Sequence, residues 1–184
     1  MRIPFAALLA APLAFAAPLA LPAPASAALV AGDAAPDFTA DGAVAGKPVR
    51  VHLAALLHHG PVVLYFFPAA FTGGCNAEAH AFAEQIGAFK AAGATVLGMS
   101  ADTIDDLERF SASECAGKFA VASAPPALIA RYKATLSQPV RGRSVSSRIS
   151  YVIAKDGRVA FVHDDPGPAD HITLTLAAVK RLAR

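Results

Sequence analysis

The sequence predicts an α/β fold, a mixed β-sheet flanked by helices, and three observations carry that prediction. Residues 62–67 and Thr95–Ser100 are continuous apolar runs rich in β-branched and aromatic residues, the pattern of strands buried on both faces. Between them Cys75, Ala79, Phe82, Ile86 and Phe89 recur at steps of four and three, which places them on one face of a helix. Late in the chain, Ile149–Ile153 and residues 159–163 are joined across Lys155-Asp156-Gly157, a turn signal that makes them a hairpin.

Length and composition narrow the choice further. With 184 residues, a hydrophobic fraction of 55% and only 16% charged residues, the chain is long enough for one ordinary domain and too apolar to stay disordered. A net charge of +2 excludes a nucleic-acid binder working through a broad basic surface. Two cysteines, Cys75 and Cys115, cannot build a disulfide framework, and no C-x-x-C pair exists for zinc, haem or dithiol exchange.

The first 27 residues read as a signal peptide. Arg2 is the one basic residue ahead of a long apolar run, and Pro22-Ala23-Pro24-Ala25-Ser26-Ala27 supplies small residues at the last and third-last positions. Pro4, Pro12 and Pro18 interrupt the run, which argues against a retained spanning helix. Cleavage after Ala27 is expected, leaving a domain of residues 28–184 with no membrane attachment, exported to the bacterial periplasm. A disulfide between Cys75 and Cys115 would persist there.

The remaining elements follow in order. The strand at 62–67 is ended by Pro68 and is expected at the centre of the sheet. The helix carrying Cys75 begins after Gly73-Gly74, with Cys75 facing inward from its first turn, and stops at Gly93. After the second strand, Asp102 or Thr103 caps a helix with Asp105 and Asp106 in its first turn and Lys118 in its last. Residues 127–134 form a short helix, the hairpin follows, and residues 172–182 close the chain as a helix. This order, with an early parallel crossover and a late hairpin, fits a thioredoxin-like fold with an N-terminal extension.

Chemistry concentrates where the first strand meets the helix. A thiol at a helix N-terminus meets unpaired backbone N–H groups and the helix dipole, which favour the thiolate. Cys75 therefore reads as a nucleophile, or as a small core hydrophobe; flanking Gly73-Gly74 favour the former, since they let the backbone approach a ligand closely. Thr72 either caps the helix or turns its hydroxyl to the same pocket, and Glu78 either orients a cation near the thiolate or is a solvated first-turn carboxylate.

Tyr65-Phe66-Phe67-Pro68, Phe71-Thr72 and Cys75 together resemble the P-x-x-x-T-x-x-C signature of peroxiredoxins, the cysteine-dependent peroxidases of the AhpC/TSA family. Gly32-Asp33-Ala34-Ala35-Pro36-Asp37-Phe38, Gly98-Met99-Ser100-Ala101-Asp102, and Arg148-Ile149-Ser150-Tyr151-Val152-Ile153 are similar to further family segments in the same order. Length and isolated thiols look most like the Q-type branch, the bacterioferritin comigratory proteins. The resemblance implies that Cys75 is the peroxidatic cysteine and that Thr72 hydrogen-bonds thiolate and peroxide. It further implies that Arg148 stabilises the thiolate and the leaving oxygen, and that Pro68 shields the site from water. It implies no cofactor, hydrogen peroxide and organic hydroperoxides as substrates, a thioredoxin-like protein or small thiol as reductant, and a monomer or weak dimer.

The chain also departs from the branch. Many members carry a second cysteine five residues after the first, where this chain has His80. Another branch pattern puts the resolving cysteine in the helix after the second crossover strand, and Cys115 is expected there as the resolving thiol, with a buried structural cysteine as the alternative. The histidines, His52, the pair His58-His59, His80, His163 and His171, show no ligand spacing, so no metal site is expected and they read as surface or loop residues. Arg141 and Arg143, with Arg148, flank Gly142 as a basic loop that reads as a solvated turn. Two other functions use the same ingredients: a thiol-disulfide oxidoreductase, which needs the vicinal cysteine that Thr72 replaces, and a non-catalytic redox sensor or chaperone.

Overall fold

Alternate residues of one central strand feed two separate cores. In the computed structural model, which describes residues 28–140 and 142–183, the chain runs β1 (Thr39–Val44), β2 (Lys47–His52), α1 (Leu53–His59), β3 (Val62–Phe66), α2 (Gly73–Ala91) and β4 (Thr95–Ser100). It continues through α3 (Ile104–Ser113), β5 (Ala120–Ser123), α4 (Pro126–Arg131), β6 (Ile149–Ile153), β7 (Val159–Asp164) and α5 (Ala169–Leu182). Val62, Leu64 and Phe66 point into one apolar cluster with α1 and α4, while Val63, Tyr65 and Phe67 point into another with α2, α3 and α5. All five residues of β3 are buried, as a strand covered on both faces requires. The expected signal peptide, and Arg141, lie outside the described residues.

The sheet has seven strands in the order β2-β1-β5-β4-β3-β6-β7. β3 pairs parallel with β4 and β4 with β5, whereas β6 lies antiparallel to β3 and forms the expected hairpin with β7. This is the mixed sheet flanked by helices that the sequence predicts. The chain's N-terminal region is built into it: the β1–β2 hairpin extends the sheet by pairing β1 antiparallel with β5. β1, β2, α1 and β5 carry no separate sequence signal, because each is short and its strands alternate weakly; β5 has four residues.

Two expectations are corrected here. α3 is capped by Thr103, whose hydroxyl accepts from the Asp106 N–H at 3.3 Å, but it ends at Ser113. Cys115 and Lys118 therefore lie beyond the helix in a turn, where Ala116 and Gly117 both take left-handed backbone angles (φ 47° and 67°) that a continuing helix cannot accommodate. The histidines are not uniformly superficial either: His171, in α5, is 0% exposed. His58 and His59 end α1. Arg143 is exposed as expected of a solvated turn, whereas Arg148 stands apart from it and is buried.

Candidate active site

The loop from Pro68 to Thr72, which leaves β3 and enters α2, is held from beneath. The Phe67 carbonyl accepts from the Ser146 hydroxyl at 2.8 Å. The Ala70 N–H donates to the Asp102 carboxylate at 2.6 Å, and the same oxygen accepts from the Ser100 hydroxyl at 2.8 Å. Phe71 then adopts a left-handed conformation (φ 60°) uncommon for a bulky side chain, with its ring edge-on to Phe110 at 5.4 Å between centroids. Pro68 is half-buried at the start of the loop.

Thr72 occupies the N-cap position of α2 with extended backbone, yet its side chain makes no capping bond. Its hydroxyl donates instead to the Ala69 carbonyl at 2.9 Å, and the first helical hydrogen bond runs from the Asn76 N–H to the Thr72 carbonyl at 2.8 Å. Of the two readings of Thr72 the side-chain cap is not made: the hydroxyl closes the loop rather than the helix, and it bonds Ala69 rather than, as the resemblance implies, the Cys75 thiol.

Cys75 sits in the first turn of α2, 2% exposed, and the guanidinium of Arg148 reaches its sulfur: Nη2 lies 3.5 Å from Sγ. Arg148 is itself buried and all three of its nitrogens are engaged. Nε donates to the Pro166 carbonyl at 2.9 Å and Nη1 to the Glu78 carboxylate. A guanidinium held at three points presents a fixed positive charge to the thiol, which a flexible ammonium would not. Burial works against that charge, but Glu78 and Cys75 outweigh it and hold the Arg148 pKa above its ordinary value.

Glu78, one turn after Cys75, is 0% exposed, so the solvated reading of this residue does not hold. Burial raises its carboxyl to about 7 against the pull of Arg148. Gly74 makes the encounter between helix and arginine possible: a Cβ there would lie 3.1 Å from Nη2 of Arg148, whereas Gly73 faces open space. The close approach expected of this glycine pair is thus to the protein's own arginine.

Cys115 is 0% exposed and both cysteines are free. They belong to the same apolar cluster as Tyr65, whose ring stacks on Phe82 at 4.5 Å. Burial, with a smaller contribution from Glu114, pushes the Cys115 thiol well above its ordinary range, so it rests protonated. His80 Nε2 lies 3.0 Å from a Glu114 carboxylate oxygen, where α2 meets the turn that carries Cys115.

Several participants gave no clear sequence signal. Asp102 reads as a helix cap but anchors the Ala70 N–H; Ser146 fixes the loop entrance; Ser150 and His171 lie behind Glu78. Ser150 alone has a local signal, a hydroxyl in the otherwise apolar segment Ile149–Ile153.

The AhpC/TSA family model matches residues 31–162. Peroxiredoxin Bcp of Escherichia coli (strain K12) is 29% identical over 124 residues, covering 66% of this chain and 80% of that protein. The chloroplastic peroxiredoxin Q of Sedum lineare is 32% identical over 138 residues, covering 74% and 71% respectively. Among solved structures, peroxidoxin BcpB from Mycobacterium tuberculosis superposes with a TM-score of 0.72 at 28% identity, over 84% of this chain and 98% of that one.

Proposed function

The chain belongs to the AhpC/TSA family, and from that membership we propose that it is a thiol-dependent peroxidase whose reacting group is Cys75. The observation that carries the assignment of roles is the 3.5 Å contact between Arg148 Nη2 and Cys75 Sγ, made in a buried site. Sulfur forms a bond to one peroxide oxygen as the O–O bond breaks; the other oxygen leaves as hydroxide or alkoxide and takes up a proton, and Cys75 is oxidised to a sulfenic acid. Because a more stable thiolate is also a weaker nucleophile, the rate must come from donors aimed at the charge that develops on the leaving oxygen. Arg148 is that donor, Thr72 orients the peroxide once its hydroxyl turns from Ala69, and Pro68 keeps water from the sulfur.

Cys115 serves as the resolving thiol: it attacks the sulfenic sulfur, water leaves, and a disulfide joins the two residues. Cys75 lies in the first turn of α2 and Cys115 in the turn after α3, both buried as free thiols, and opening of these two turns brings the sulfurs together. A thioredoxin-like protein or a small thiol then supplies two electrons to restore both thiols, acting on a monomer or weak dimer. Hydrogen peroxide and organic hydroperoxides are the substrates. The leader predicted over residues 1–27 supports export to a bacterial periplasm, where that disulfide needs a dedicated reductant. Amino-terminal sequencing of the protein from a periplasmic fraction tests the leader, and a start other than residue 28 overturns cleavage after Ala27.

Stopped-flow peroxide consumption by the reduced protein tests the main reading. One equivalent consumed rapidly by the wild type and none by Cys75→Ser is the expected result; a wild-type rate equal to that of free cysteine overturns it.

A further inference from the structure

Behind Glu78 lies a buried polar arrangement that the peroxidase reaction leaves without a task. His171 Nε2 is 2.9 Å from the Asp165 carbonyl, which can only accept, so Nε2 carries the ring proton. Nδ1 is then an acceptor, and the Ser150 hydroxyl donates to it at 2.8 Å. Glu78 divides its oxygens between two neighbours: Oε2 takes the hydrogen bond from Arg148, while Oε1 faces His171 Nδ1 at 3.7 Å. Oε1 is buried with no hydrogen-bond partner among the described residues. An unpartnered carboxylate oxygen facing an imidazole nitrogen that has no proton to give, away from water, is a place where a proton is more stable than a charge.

We propose that His171, fixed in this tautomer by Asp165 and Ser150, keeps a proton on Oε1 of Glu78 and so leaves the full charge of Arg148 to Cys75. His171 is a positioning residue, acting on the thiol only through Glu78 and Arg148; its role rests on Cys75 being the reacting group. With the proton in place, Oε2 still holds Nη1 in position, but Glu78 carries no charge to neutralise the guanidinium. Once Glu78 ionises, the guanidinium is shared between two anions and its pull on the sulfur weakens.

The groups that face this pair are few. Arg148 immediately precedes β6, Cys75 lies one turn earlier on α2, and Tyr65 on β3, its hydroxyl also buried with no hydrogen-bond partner among the described residues. His163 of β7 sets its ring 4.5 Å from that of His171, and Asp165 follows β7. Burial, the nearby His163 and Arg148 lower His171 to about 4, so near neutrality the imidazole is uncharged and the proton of the pair belongs to the carboxyl.

The test is the carbonyl stretch of a protonated carboxyl, followed by infrared difference spectroscopy of the reduced full-length protein across pH and assigned by its loss in Glu78→Gln. The wild-type midpoint is expected near neutrality. His171→Gln, which turns an amide N–H toward Oε1, lowers the midpoint by about one pH unit. Ser150→Ala, which frees Nδ1 to accept from Oε1–H, raises it, and decides the matter alone if His171→Gln does not fold. In parallel, His171→Gln slows peroxide consumption several-fold at neutral pH in the wild-type background and leaves Glu78→Gln unaltered. Midpoints that do not move, that move together, or a rate loss equal in both backgrounds overturns the inference while peroxidase activity stands. Midpoints that shift as expected in a protein that consumes no peroxide uphold the proton's location and overturn the peroxidase reading instead.

Discussion

Gly74 and Arg148 are in such close register that a single added carbon on the glycine would stand 3.1 Å from the guanidinium nitrogen that touches Cys75. The residue before Cys75 lacks a side chain because that space belongs to the arginine. Gly74→Ala is therefore expected to separate stability from activity. Alanine improves helix propensity by about 1 kcal/mol, so thermal unfolding should hold steady or rise slightly. Arg148 is pinned on its other nitrogens by Pro166 and Glu78 and cannot retreat freely, so the peroxide rate should fall roughly tenfold, a little over 1 kcal/mol of barrier. Stopped-flow kinetics beside a thermal melt checks both; an unchanged rate would show that the guanidinium has room to give.

Arg148→Lys keeps a positive charge but loses the planar three-point fixation. The rate constant for peroxide should drop about 100-fold, the usual range for losing one donor to a developing oxyanion. Above about pH 7, where Glu78 is ionised, stability should fall too, since the buried carboxylate loses its guanidinium partner. Adding Glu78→Gln should recover much of the stability and none of the rate, and denaturant titration with single-turnover kinetics on both variants distinguishes the two contributions.

The pH dependence of stability contains two opposed contributions. Glu78 rises from 4.5 to about 7 on folding, so across that window the native state holds more protons than the unfolded chain, and stability falls as pH rises. His171 drops from 6.5 to about 4, so the unfolded chain holds more protons and stability climbs as pH rises between those values. The two nearly cancel in the wild type. Glu78→Gln removes the first, and its unfolding free energy should then increase by about 3 kcal/mol between pH 4 and 6.5, where the wild type changes little, at roughly 1.4 kcal/mol per unit of pKa shift. Urea unfolding at several pH values across that interval measures it; parallel curves for the two proteins would refute it.

Resolution should be limited by opening rather than by encounter with peroxide, because the Cys115 thiol is buried and protonated at rest. After one equivalent of peroxide, intact mass of the wild type should show loss of two hydrogens, whereas Cys115→Ser should keep one added oxygen. Disulfide formation should be independent of peroxide concentration and should accelerate in mild denaturant. A disulfide-like mass in Cys115→Ser would remove Cys115 from the resolving role.

How far the site can be read along the chain depends on how local each part is. Cys75, its helix face and the neighbouring glycines are separated by only a few residues, and the helical period alone brings them into one turn. The order of Val62, Val63, Leu64 and Tyr65 likewise announces a strand buried on both faces. Cys115 shows where such reasoning stops: its segment has a convincing helix start at Thr103, but the helix stops at Ser113, where Ala116 and Gly117 turn left-handed. His171 shows a second kind of limit. Nothing in its spacing marks it, and it lies among residues that look like one more amphipathic helix, yet its ring meets Ser150 and Glu78 from elements far away in the chain.

The sequence by itself determined the thiol at a helix start, the alternation of strand and helix, and the hairpin whose first strand follows Arg148, because each depends on periodicities and turn chemistry that act over a few residues. Only the tertiary structure decided that Glu78 is buried, that Arg148 is held at three points, and that His171 faces a buried carboxylate oxygen left without a donor among the described residues. Those facts depend on which groups share a dry space after β3, β6, α2 and α5 have packed together, and the cost of leaving a charge there unpaired is a property of that space rather than of any residue alone.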